Sequence, residues 1–283
     1  MTVVGPGQPG ISLRPHFAIA QLPQVPLTLR MLKTLTLFLV ASLPLLGSTP
    51  VEDMTDAASR FSAALTPEQK AKATFTFGDD ERTAWHFIPK DRKGIPLKEL
   101  TSAQKHLAYG LLTTGLSQRG LLKATTIMSL EQVLQDLEGP KRTFPRDPEL
   151  YYVSLFGTPD VKGTWGWRIE GHHLSVNMTI ADGQFAAGTP LFMGSNPAEV
   201  RIGQRAGLRV LGGEEDTGRA LVQSLEGAQK TAGIISDKAP DDILTLNKQK
   251  AELNDPSGLP VAQMNAKQVA LVDQIIAEYV GRL

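Results

Sequence analysis

Cysteine is absent from this sequence. That excludes disulfide frameworks, thiolate zinc sites, iron–sulfur clusters and cysteine nucleophiles, and leaves any transition metal to His, Asp or Glu. Acidic residues are missing from the first 48 positions. An apolar run able to cross a bilayer, which takes roughly 20 residues, is missing from the mature part. Charge of one sign is not in excess, since 29 Lys and Arg balance 29 Asp and Glu. Subtracting residues 1–48 removes Arg14, Arg30 and Lys33 and no acid, so the remainder is slightly acidic. Such a balance argues against a nucleic-acid binder, which shows a basic face, and against an anionic-membrane surface protein. Nucleotide-binding glycine motifs, the zincin HExxH and the GxSxG elbow are also absent.

What is present begins at Met31. Met31-Leu32-Lys33 reads as a short basic n-region, and Leu35 to Leu46 as an apolar h-region with Pro44 near its end. Gly47, Ser48 and Thr49 supply the small residues of a cleavage site. The pattern is that of a secretory signal peptide over 31–48, and it predicts export to the periplasm or the extracellular space. Residues 1–30 hold five prolines and no usable period, and read as an upstream extension without a structural role. The remaining chain, 49–283, is long enough for one domain with a sizeable core.

Along that chain, helical spacing covers Thr55–Thr66, and Thr66-Pro67-Glu68-Gln69 caps a second short helix. Thr74–Phe77 and Thr83–Ile88 read as strands. A helical hairpin is expected over about 98–138, broken at Ser117–Gly120. Strands follow at Tyr151–Phe156, Thr164–Ile169, His172–Ile180 and Val200–Ile202, with helices over 214–231 and 266–281. Elements in blocks without alternation predict an α+β fold, its antiparallel sheet built on a central β-hairpin at about 164–180 and packed against the helical hairpin.

Within Trp165–Thr179, Glu170-Gly171 offers a two-residue turn. That register sets Ile169 opposite His172 and Arg168 opposite His173. Alternation then gives an apolar face (Trp165, Trp167, Ile169, His172, Leu174, Val176, Met178) and a polar one (Gly166, Arg168, His173, Ser175, Asn177). Arg168 as anion clamp, His173 as acid, base or metal ligand and Asn177 as orienting amide form the candidate catalytic row, with His86 as a second imidazole. Arg82, Glu170 and Ser175 are the candidate substrate-binding residues. A polar row is equally what a solvated outer face of an antiparallel sheet looks like. His172 falls on the apolar face, where a hydrogen-bonded core histidine is the simpler reading. A divalent metal such as zinc on His172 and His173 would require a bulge, because neighbours on a strand point oppositely.

The segments Arg82…Trp85-His86…Pro89, Gln104, Ser117…Gly120, Phe156-Gly-Thr-Pro159, Trp165-Gly-Trp-Arg…Glu170-Gly-His-His-Leu-Ser-Val-Asn177 and Gly188-Thr-Pro…Phe192…Gly194 resemble the bacterial and fungal family catalogued as domain of unknown function 3500. The resemblance runs from about Thr55 to the end and implies a single exported α+β domain with no agreed activity and no catalytic residues to carry over. It also implies a further C-terminal segment, so the chain reads as lacking one. The functional expectation is an exported hydrolase acting on a small polar or anionic substrate through a His/Arg site. The alternative is a non-catalytic envelope or secreted binding protein.

Overall fold

The computed structural model describes residues 47–253 and 257–283. The signal peptide expected over 31–48 lies, as far as residue 46, outside the described residues, as does the stretch before it. The helices start where the sequence satisfies their first amides. Thr49 accepts from the Glu52 amide while the Glu52 carboxylate accepts from the Thr49 amide, opening α1 (Pro50–Ala64). The same reciprocal cap, Thr66 with Gln69, opens α2 (Pro67–Ala73), and Thr101 with Gln104 opens α3 (Ser102–Gly115). Helix α4 (Gln118–Glu138) follows after a two-residue break capped by Ser117. Beyond the sheet come α5 (Gly212–Gln223), α6 (Gly227–Gly233) and α7 (Ala266–Val280). No helix among the described residues is long and apolar enough to cross a membrane.

The sheet has seven strands: β1 (Thr74–Phe75), β2 (Ile95–Pro96), β3 (Tyr152–Phe156), β4 (Trp165–Gly171), β5 (Leu174–Ala181), β6 (Gln184–Ala187) and β7 (Leu191–Met193). Central β4 lies between β3 and β5; β3 also pairs with β1 and β2, and β5 with β6 and β7. All pairings are antiparallel except β1 with β3. The fold is therefore α+β with a mixed, mostly antiparallel sheet.

The central hairpin forms where alternation placed it, but its turn is two residues later. Arg168 faces Asn177, Ile169 faces Val176 and Gly171 faces Leu174, so His172 and His173 make the turn. Gly171 is not in the left-handed region; His173 is, at φ 59°. Glycine at 171 serves packing, since a Cβ there would lie 2.4 Å from the Tyr151 ring. The turn is fastened from outside: the His173 amide donates to Phe87 O at 2.8 Å and His173 O accepts from the Gly194 amide at 2.8 Å. The expected pairing of Arg168 with His173 and of Ile169 with His172 is thus replaced. Because the register moved by an even number of residues, each strand residue kept its face.

Trp165, Trp167, Ile169, Leu174, Val176, Met178 and Ile180 form the core face with Val153 and Leu155. Against it pack Phe61 and Ala58 of α1, Leu111 and Leu112 of α3, and Ile127 of α4. Helix α3 lies on α1, and its last residue, Gly115, touches Trp167 so closely that a Cβ would fall 2.6 Å from the indole.

The opposite face is not solvated. Residues 77–93, expected to include a strand at Thr83–Ile88, instead form a 3-10 turn (Asp80–Thr83) and an irregular flap across it. Trp85 and Phe87 do alternate inward, each 6 % exposed. Their backbone meets no ladder, and bonds side chains and the hairpin turn instead. Val200–Ile202 likewise forms no strand, whereas Leu191–Met193 pairs with β5.

Candidate functional site

Two polar assemblies flank the hairpin. The first is the expected polar row, roofed by the flap. Arg168 is 0 % exposed, Ser175 0 %, Glu170 2 % and Asn177 7 %, which rules out a solvated outer face. Arg168 pairs with the Glu81 carboxylate through Nη2 and donates to Glu81 O at 2.8 Å through Nη1. Glu170 Oε1 sits between two guanidiniums, 3.4 Å from Arg168 Nε and 3.5 Å from Arg92 Nε. Its Oε2 accepts from Ser175 Oγ and from the His86 amide, both at 3.2 Å. Asn177 Nδ2 donates to Ser175 Oγ at 3.0 Å and to Pro190 O at 2.8 Å.

Arg168, Glu170, Ser175, Asn177 and the His86 backbone are thus one connected network. Its charges are matched internally, with the guanidinium of Arg168 committed to Glu81 and Glu170. Burial raises the Glu170 carboxyl above its ordinary range, opposed by Arg168 and Arg92. The His86 ring is outside the network. Its Nδ1 accepts from the Phe87 amide at 2.9 Å, and burial together with Lys90 and Arg92 lowers its proton affinity. Arg82 stands apart, its Nε donating to Phe77 O at 2.9 Å.

The second assembly was not expected. His172 Nδ1 lies 2.5 Å from Glu131 Oε1, a residue of α4. Glu131 is 4 % exposed and shares the buried stripe of α4 with Ile127 and Leu134. Arg146 backs the pair, 3.9 Å from Glu131 Oε2 and bonded to Glu138 at 2.7 Å. Arg146 Nη1 is also 3.2 Å from His172 Nδ1. A guanidinium has only donors, so Nδ1 cannot serve both neighbours; the closer carboxylate fixes Nδ1–H as donor to Glu131. Nε2 then carries the free lone pair, and it has no hydrogen-bond partner among the described residues. Tyr151 Oη donates to His172 O at 2.9 Å, holding the residue from its other end.

His172 and Glu131 together line a cavity of about 450 Å³. Lys90, Arg92 and Lys98 contribute positive charge to its wall against Asp91 and Glu131, while Phe144, Pro145, Leu150 and Tyr152 make the apolar part. Sequence reasoning missed Glu131. The available signal was an acid at a core-facing helical position, four residues after Ile127 and three before Leu134.

His173 packs against His172 with ring centroids 4.0 Å apart and the ring planes tilted by 41°. Its Nδ1 is sealed without a hydrogen-bond partner. Burial, with His172 and Arg146 adding to it, lowers the imidazole to about 4, so it is neutral at pH 7. The two histidines do not complete a metal site. Among the described residues no group of three or more His, Asp or Glu side chains is placed to hold an ion. A zinc ion on His172 Nδ1 would also have to displace Glu131 from it.

These features define an α+β domain that carries a histidine–carboxylate pair in a small cationic cavity. The chain belongs to the family described as Protein of unknown function (DUF3500), whose model matches residues 47–283. No curated protein and no solved structure matches it.

Proposed function

We propose that this is an exported hydrolase of small anionic substrates, with His172 as general base and Glu131 as the group that orients it. The observation that carries this reading is the 2.5 Å contact between His172 Nδ1 and Glu131 Oε1 on a cavity wall. Buried, helix-mounted Glu131 fixes the imidazole tautomer and stabilises the imidazolium that forms when Nε2 takes a proton. A water beside Nε2 gives up that proton as it attacks the acyl, phosphoryl or sulfuryl centre. The imidazolium then returns it to the leaving oxygen. Lys90 and Lys98 attract the anionic group, Lys90 having no acidic partner among the described residues and Lys98 only a loose one, Asp147 at 3.6 Å. Export is supported by the basic-then-apolar leader at Met31.

The test is turnover of 4-nitrophenyl phosphate, 4-nitrophenyl sulfate and the 4-nitrophenyl monoester of succinic acid. The wild type should hydrolyse at least one of them. His172→Gln should then lose about 10²–10⁴-fold in kcat, the usual size of a general-base contribution. Lys90→Gln should raise KM with little change in kcat. No turnover of any ester by the folded wild type, or full activity in His172→Gln, would overturn the proposal.

A further inference from the structure

A larger cavity, about 720 Å³, lies on the flap side of the sheet. We propose that it binds an amphiphilic organic anion, a carboxylate or phosphate monoester carrying an apolar body. This goes beyond the reaction proposed at His172 and does not depend on it.

Charge is the first argument. Among the described residues Arg82 and Lys248 are the cationic residues of the wall, and no acidic one lines it. Arg82 spends Nε on Phe77 O and rests over the Phe77 ring at 4.5 Å, which leaves both terminal nitrogens uncommitted among the described residues. The contrast with Arg168, whose partner Glu81 precedes Arg82 in the chain, is direct: that guanidinium is neutralised by Glu81 and Glu170. An unbalanced pair of cations on a largely apolar wall favours an anion there more strongly than the same charges would in open water.

The second argument is the wall itself. Trp85 and Phe192, with centroids 6.0 Å apart, give it an aromatic side. Met178 and Leu246 extend the apolar surface. Asn177 uses both Nδ2 bonds on Ser175 and Pro190, so its Oδ1 remains an acceptor, and the Thr179 and Thr189 hydroxyls have no protein partner among the described residues. A mostly apolar enclosure with a few placed polar groups, in the range of about 300–1,000 Å³, is what small-molecule sites look like. The outer rim is a strap, residues 243–251, tied down by Asn247 to Trp85 O at 3.2 Å and by Gln249 to Thr83 Oγ1 at 2.8 Å.

The experiment is isothermal titration of the full chain with decanoate, decyl phosphate and, as the neutral control, decanol. One anion should bind saturably at one site per chain, more tightly than decanol, and its affinity should fall as salt rises. Whichever anion binds tighter identifies the head group. Lys248→Glu, a change at an exposed position, should weaken anion binding about tenfold, and Arg82→Gln with Lys248→Gln by more than that. His172→Gln should leave the affinity unchanged, which separates this site from the His172 cavity. No saturable binding of either anion would overturn the proposal. So would affinity indifferent to Lys248→Glu, or affinity lost in His172→Gln.

Discussion

His172 and Glu131 meet at 2.5 Å although one closes a β-turn and the other sits in the middle of a helix 41 residues earlier. The contact fixes a tautomer, and the tautomer can be observed without any substrate. In the ¹⁵N spectrum the neutral form of the wild-type imidazole should carry its proton on Nδ1, with Nε2 free. Glu131→Leu removes the acceptor and should release that preference. A wild-type imidazole protonated on Nε2 alone would mean that Glu131 does not orient it, and the general-base assignment would fall with it.

Arg168 is the keystone of the sealed network, and its loss should be severe. Arg168→Met would leave Glu81 and Glu170 close together and short of a cation, with Glu170 2 % exposed. Breaking a buried ion pair from one side costs about 3–5 kcal/mol. Urea unfolding should show a loss of that order, and replacing Glu170 by Gln in the same chain should recover part of it. A loss below about 1 kcal/mol would show that the network is hydrated and its charges screened.

How much of this was legible in the sequence depends on the range of the interaction. The two faces of the hairpin follow from alternation alone, and they survived a misplaced turn because an even shift preserves them. The turn itself was misread because Gly171 signals a loop, while its real task is to let the Tyr151 ring approach. Trp85 and Phe87 alternate as a strand would, yet the flap has no ladder. Its Phe87 carbonyl is taken by the His173 amide and its His86 amide by a carboxylate. No local pattern distinguishes those partners from a neighbouring strand. Glu131 pairs with a residue that only the folded chain brings near.

Glycine positions give a paired test of packing. Gly110 in α3 has open space where a Cβ would go, so Gly110→Ala should stabilise the protein by up to about 1 kcal/mol through helix propensity. Gly120 in α4 has the same propensity to gain, but its Cβ would fall 2.1 Å from Arg282 O. That carbonyl accepts from the Ser117 amide at 3.0 Å, while Ser117 Oγ donates to Gly281 O at 2.7 Å. Gly120→Ala must push the segment after α7 away and should cost about 1–3 kcal/mol. Equal effects of the two substitutions in thermal unfolding would rule out this docking.

His173 sets a pH dependence whose sign can be worked out. Its folded value is about 4, against about 6.5 in an unfolded chain. Between those limits the unfolded chain binds a proton that the folded one refuses, so this contribution is absent above pH 6.5 and destabilises progressively as pH falls toward 4. The full effect is at most about 3 kcal/mol. The Glu170 carboxyl, raised by burial, works in the opposite direction, because the folded state takes up its proton first on acidification. Comparing the wild type with His173→Asn separates the two. Asn tolerates the left-handed backbone at this turn and carries no titrating ring. Denaturant unfolding at pH 7 and pH 4.5 should show the variant losing less stability on acidification than the wild type. Equal losses would mean that the His173 ring protonates freely in the folded state, and that its packing against His172 does not seal it from water.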